Sequence, residues 1–367
     1  MLKNYISSCV EKVSMAELSR ELSKVEYKSD QIDKSDFYQA LLECREEENQ
    51  IDQEDKEEVF SIDGMRLFHY HAAGEKKCAT PLLVTYALIN RQYMMDLQPD
   101  RSVIKKFIDG GLDVYSIDWG YPTAKDMHIT MDDYVNRYMD ACVDFIAEKT
   151  GFQKINLLGV CQGGTFSVIY TSLHQHKIKN LITMVVPIDF DSKDALLFRW
   201  CKKVDVEGMV RAYGLVSGDY LNHMFLYMKP FELNVDKYRS LVRGGYKKNF
   251  GSFLRMERWT FDCPNESGAM LIDCMDGLFK KNLLYKGELT LNGREINAKH
   301  VTCPILCICG KKDHIVPLSA SEPLMDLIGS EDKEFVSFDT GHIGMYVSTS
   351  SQNSVSPKIL DWIQKHE

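Results

Sequence analysis

Residues 157–166 read LLGVCQGGTF, an apolar run that turns sharply at a cysteine and continues into a helix-compatible run. Strand, then G-x-C-x-G, then helix is the pattern of a nucleophile elbow with cysteine in place of serine. Such a turn holds its central residue in a strained conformation with the side chain exposed above a sheet. Gly159 and Gly163 are then small because neighbouring backbone crowds the turn. The elbow aims the N–H of the next residue, Gln162, at a substrate oxygen, and the start of the following helix favours thiolate and oxyanion alike. The same five residues taken alone also fit a buried structural thiol, so the rest of the chain must decide.

Outward from the elbow, short apolar runs recur: EVFSI, RLFHYH, PLLVTYA, LDVYSID, KINLLG, NLITMVV, CPILCICG and KEFVSF. Helix-sized segments lie between several of them, including RSVIKKFIDG, MDDYVNRYMDACVDFIAEKT and GTFSVIYTSLHQH. This alternation predicts an α/β architecture, a mostly parallel sheet flanked by helices. The rhythm breaks over residues 191–298, which are helical, aromatic and Met-containing, and resumes at CPILCICG. An insertion there is well placed to roof a site at the strands' C-terminal ends. The reading divides the chain into an N-terminal helical and acidic segment (1–55), a core (56–190 and 299–367) and a helical cap (191–298). The acidic run REEENQIDQEDKEE (45–58) is a solvated face or linker.

Composition excludes several classes. The chain has 367 residues, 44% of them hydrophobic, which is enough for a large core. A net charge of -9 with no long basic run argues against nucleic acid as a partner. No segment approaches the roughly 20 apolar residues of a spanning helix. The opening MLKNYISSCVEKVSM lacks the apolar core of a secretory signal, so the cytoplasm is the expected location. Eleven scattered cysteines fit buried thiols in a reducing compartment. Cys303, Cys307 and Cys309 match no usual zinc spacing and read as part of a buried strand.

An elbow needs an acid and a base, and in this fold they follow the nucleophile in that order. Asp313 lies in CGKKDHIVP and His342 in DTGHIGM, each just past a predicted strand. Both fall at the end of the sheet where the elbow turns, so Cys161, His342 and Asp313 can converge. The other histidines read as structural: His314 adjoins the acid, His69 and His71 alternate on one strand, and His174 and His176 close a helix.

Three segments carry a resemblance: YALINRQYMMDLQPDRSVIKKFIDGGLDVYSIDWGYP (86–122), GVCQGG (159–164), and GKKDHIVP followed by TGHIGMYV. The chain resembles the catalytic subunit of polyhydroxyalkanoate synthases of the short two-subunit kind, usually called class III, from about residue 56 onward. The first segment is the most specific, because elbow and triad are shared with many α/β hydrolases. The family more often has Pro and Leu at Gln92 and Met95.

The resemblance implies an α/β-hydrolase fold and polymerisation of short (R)-3-hydroxyacyl-coenzyme A units, 3-hydroxybutyryl first among them. Cys161 would carry the acyl group as a thioester, His342 would deprotonate it, and Asp313 would orient that histidine or activate the next unit's 3-hydroxyl. Backbone N–H groups of Gln162 and, by position, Ile89 are the expected oxyanion donors. Asn90 and Asp96 match the family motif, Asn90 as a substrate contact and Asp96 as a structural hydrogen-bonding residue. MERWTFDCPNESG (256–268), with Trp259 and Asp262, resembles the family's cap. Coenzyme A would enter as part of the substrate and leave as product, with no metal or redox cofactor. The implied partners are a second, non-catalytic subunit, a homodimeric copy and the surface of polyester granules. The alternative is a cysteine-nucleophile α/β hydrolase, a thioesterase or dienelactone-hydrolase-like enzyme, which releases its acyl group to water. A non-catalytic scaffold at a granule surface is disfavoured, because nucleophile, acid and base are all present in order.

Overall fold

A computed structural model describes residues 51–243 and 250–367. The N-terminal residues 1–50, and with them most of the predicted helical and acidic segment, lie outside the described residues. By backbone contacts Asp219–Phe261 separates as a unit of its own from a larger unit, Ile51–Gly218 with Asp262–Glu367.

The larger unit is built on one eight-stranded sheet. Its strands are β1 (Glu57–Ile62), β2 (Met65–Tyr70), β3 (Leu82–Thr85), β4 (Val114–Asp118), β5 (Ile155–Val160), β6 (Ile178–Met184), β7 (Ile305–Gly310) and β8 (Lys333–Phe338). They lie side by side in the order β1-β2-β4-β3-β5-β6-β7-β8. Each corresponds to one of the eight apolar runs read from the sequence. The first two and β4 pair antiparallel, and every pairing from β4 to β8 is parallel. Helices cover a parallel sheet on both faces, which is why INLLGV is apolar without alternation and buried at all six positions. The edge strand β1, by contrast, is mostly exposed or half-buried.

Local chemistry sets the connections. Ser102 caps the helix Val103–Asp109 by accepting the Lys105 N–H at 2.8 Å. The helix Asp140–Thr150 ends on Gly151, at a φ of +79° that glycine adopts without strain. Among the described residues no helix is long and apolar enough to cross a membrane.

One buried group works against this packing. Glu266 lies in a short antiparallel pair with Val216, and neither carboxyl oxygen has a hydrogen-bond partner. Burial pushes its pKa up from 4.5 to about 8. Below about pH 4.5 the group is neutral both folded and unfolded, so Glu266→Gln should leave stability unchanged there. Between about 4.5 and 8 the unfolded chain gives up this proton and the folded chain keeps it. The wild type should therefore lose up to about 1.4 kcal/mol per pH unit relative to Glu266→Gln, with the gap levelling off above pH 8. Urea unfolding of both proteins at pH 4.5, 6 and 8 checks this. A gap that does not widen with pH would place the proton elsewhere.

Candidate active site

Strand β5 ends at Val160, and the next residue, Cys161, has φ +53° and ψ −122° before the helix Gln162–His174 begins. Positive φ is unfavourable for any side chain with a Cβ, so surrounding contacts must hold the cysteine there. Its N–H donates to the Met184 carbonyl at 2.8 Å, and its own carbonyl accepts the Gly164 N–H at 2.9 Å. The two glycines of the motif are required by space. A Cβ on Gly159 would come within 2.5 Å of both Gly164 Cα and Ser167 Oγ. One on Gly163 would come within 2.6 Å of the Tyr86 carbonyl oxygen and closer still to that of Thr85. The helix can thus press against the end of β3, and the Cys161 side chain is left half-buried at the strand's C-terminal end.

Asp313 and His342 arrive from the loops just past β7 and β8. His342 Nδ1 and Asp313 Oδ2 are 2.6 Å apart, and His342 is close enough to the Cys161 side chain to interact with it electrostatically. The structure therefore brings the three residues together in the order Cys161, His342, Asp313. Burial lowers the pKa of His342, but Asp313 and then Cys161 outweigh it and raise the imidazole to about 10. The aspartate has little freedom. Its Oδ1 accepts the N–H groups of Ile315 at 2.8 Å and Val316 at 2.9 Å, and its side chain is wholly buried.

The predicted oxyanion donors can be sorted by what already binds them. Leu88 N–H donates to Gln162 Oε1 at 3.1 Å, tying the loop after β3 to the elbow. The Gln162 and Ile89 N–H groups make no hydrogen bond among the described residues. Asn90 follows at φ +61°, a region asparagine tolerates better than most residues. Asp96 is buried, with Oδ2 accepting the Glu54 N–H at 2.8 Å, which is the structural use expected of it. The Gln162 amide also lies 3.8 Å from Cys274 Sγ and 4.0 Å from Met270 Sδ. Asp262 accepts from two hydroxyls of the INR-x-Y and DWGYP segments, Tyr93 at 3.0 Å and Tyr121 at 2.7 Å. Arg91 stacks over Tyr121 and pairs with Asp118 at 2.7 Å.

Two tyrosines near the thiol were not singled out from the sequence. Tyr86 and Tyr346 are fully buried, their rings 6.0 Å apart edge to face, and burial followed by nearby negative groups, Cys161 among them, raises both phenols well above the usual value. The Tyr346 hydroxyl has no hydrogen-bond partner. The available signal was its i, i+4 spacing from His342, which returns it to the same side of a helical turn.

Comparison with known proteins bears on the fold and the family. The family described as alpha/beta hydrolase fold matches residues 92–349, and the family described as poly-beta-hydroxybutyrate polymerase (PhaC) N-terminus matches residues 49–107. Among solved structures, a monoacylglycerol lipase from Paleococcus ferrophilus superposes with a TM-score of 0.53 at 15% identity, covering 82% of this chain and 99% of that one. A thermophilic esterase from Thermogutta terrifontis gives 0.52 at 17% identity, covering 86% and 99%. At such identities they establish the fold alone. The poly(3-hydroxyalkanoate) polymerase subunit PhaC of Allochromatium vinosum is 43% identical over 314 residues, 84% of this chain and 88% of that protein. The subunit of the same name from Synechocystis is 40% identical over 336 residues, 89% of each. With relatives this similar along most of their length, the chain belongs to the PhaC family of poly(3-hydroxyalkanoate) polymerases.

Proposed function

We propose that Cys161, His342 and Asp313 perform the acyl transfer of this polymerase, with 3-hydroxybutyryl-coenzyme A as the preferred substrate. The observation that carries this reading is the meeting of the three residues, a wholly buried Asp313 holding His342 at 2.6 Å and His342 interacting in turn with the Cys161 side chain.

In the first step Sγ, its proton already held by His342, attacks the thioester carbonyl carbon. The bond to coenzyme A breaks, its sulfur leaves with that proton, and the acyl group stays on Cys161 as a new thioester. Developing charge on the carbonyl oxygen is met by the Gln162 and Ile89 N–H groups, the two that are not already engaged. In the second step the 3-hydroxyl of another hydroxyacyl-coenzyme A attacks this thioester. The ester C–O bond forms, the C–S bond breaks, and the hydroxyl proton returns to Sγ by way of His342. The lengthened acyl-coenzyme A can then reload Cys161 and release coenzyme A. A thioester suits repeated hand-over because it remains reactive toward an alcohol.

Asp313 acts by orienting His342. Both of its oxygens are engaged and its side chain is buried, so a substrate hydroxyl has no route to it. Asn90, in the loop that supplies the second oxyanion donor, is assigned to substrate contact. The related proteins are named as polymerase subunits, which supports a second, non-catalytic chain as partner, and the surface of cytoplasmic polyester granules is the place of work that goes with this reading. A homodimer is the simplest self-association.

The deciding experiment supplies the purified chain with 3-hydroxybutyryl-coenzyme A and follows thiol release together with its acyl product. Insoluble polyester is the expected product. Stoichiometric free 3-hydroxybutyrate with no polymer would mean a thioesterase. Progress curves with and without the product of the neighbouring gene test the two-subunit reading: a lag shortened by the addition supports it, and unchanged full activity rejects it.

A further inference from the structure

His69 sits uneasily in the fold. It is 5% exposed, its ring lies flat on Tyr115 at 4.1 Å, and neither ring nitrogen has a hydrogen-bond partner. A buried polar group left so destabilises the fold. The surroundings of those nitrogens are rich in donor atoms all the same. Residues i and i+2 of a strand share a face, so His71 stands beside His69, with the ring centres 4.0 Å apart. Asp113 Oδ1 lies 3.8 Å from His69 Nε2, beyond hydrogen-bond reach. The ligating atoms of His69, His71 and Asp113 all fall within 4.8 Å of one another.

Strand register explains the meeting. His69 faces Tyr115 and Tyr70 faces Val114 across the antiparallel β2–β4 pair, so one further step sets His71 against Asp113. On the other side Glu57 of β1 faces His69, and its carboxylate is 4.0 Å from His71 Nε2. This corner is where β2 leaves the sheet and β4 enters it. It is therefore at the opposite end of the parallel strands from the loops that carry Cys161, Asp313 and His342.

We propose that His69, His71 and Asp113 form a binding site for a first-row divalent cation of the zinc class, with Glu57 as fourth ligand. Two imidazoles with carboxylates suit zinc better than calcium or magnesium, which prefer oxygen alone. Tetrahedral zinc with bonds of about 2.0–2.2 Å sets its ligand atoms about 3.3 Å apart, so the pair now 3.8 Å apart must close by about half an ångström. The exposed side chains of His71 and Glu57 can swing inward. Asp113 is already oriented, Oδ1 by the Ala72 N–H at 3.0 Å and Oδ2 by the Lys76 ammonium. Lys76 pairs with Oδ2 and can stay there as an outer partner while Oδ1 binds the metal. The bound ion would staple the antiparallel edge strands and take no part in acyl transfer.

The test uses the full chain, stripped with chelator and titrated with Zn²⁺ by calorimetry and with Co²⁺ by absorption. One tight equivalent is expected, with cobalt d–d bands and no thiolate charge-transfer band, which separates this site from the cysteines. Affinity should fall more than about 100-fold in His71→Ala, an exposed position that cannot unfold the protein, and in His69→Gln. Zn²⁺ should raise the melting temperature of the wild type and not that of His71→Ala, with polymerising activity unchanged in that variant. Equal affinity in the wild type and either variant, a thiolate band, or no tight equivalent in the wild type would overturn the proposal.

Discussion

Replacing Cys161 by alanine is expected to abolish coenzyme A release, by on the order of 10⁶-fold, while the protein keeps its fold. The side chain is half-buried at the end of a strand, and its loss removes one sulfur without opening the core. The backbone argument sharpens the test. Alanine retains the strain of a Cβ at φ +53°, whereas glycine relieves it. Cys161→Gly should therefore be equally inactive but more stable than Cys161→Ala, by about 1 kcal/mol. Thiol release and urea midpoints measured on the same three preparations check both halves. Activity above a tenth of wild type in either variant would remove Cys161 from the mechanism.

His342→Gln and Asp313→Asn should both damage acylation, and the manner of the damage assigns the aspartate. Glutamine cannot take the thiol proton, so His342→Gln should not form the acyl-enzyme detectably. Asparagine cannot accept from an imidazole N–H and from two backbone N–H groups as a carboxylate does, so the ring turns or changes tautomer. Asp313→Asn should slow acylation and elongation by the same factor, about 10²–10⁴. Trapping the acyl-enzyme by mass spectrometry, followed by single-turnover elongation, measures the two steps separately. Near-normal acylation with lost elongation would instead make Asp313 the base for the incoming hydroxyl.

Much of this was legible in the chain because it is written locally. Each of the eight strands falls on one of the apolar runs, and the two glycines flanking Cys161 are read correctly as a consequence of crowding. Asp313 and His342 could be found because strand ends fix where loops emerge. What stayed hidden depends on contacts between distant segments. Nothing in ESG announces that Glu266 is buried without a partner, and nothing in RWTFDCP announces that Asp262 is held by two tyrosine hydroxyls. The separation of Asp219–Phe261 from its flanks is likewise a property of contact density, which helical periodicity does not encode. His69 and His71 read as ordinary strand residues until β1 and β4 set carboxylates beside them.

A polymerase that carries its product on sulfur faces a hazard that a serine enzyme does not. A thioester exchanges onto any thiolate within reach, and this chain holds eleven cysteines. Among the described cysteines all but Cys161 and Cys263 are buried, and burial pushes the Cys142, Cys201, Cys274 and Cys303 thiols up. Cys274 shows the point most directly, since it lies against the side chain of Gln162, next in sequence to the proposed acyl carrier. Kept protonated in its apolar setting, it is a poor acceptor for a passing ester. The core thus insulates its own buried sulfurs chemically, so that a growing chain is not drawn onto them from the elbow.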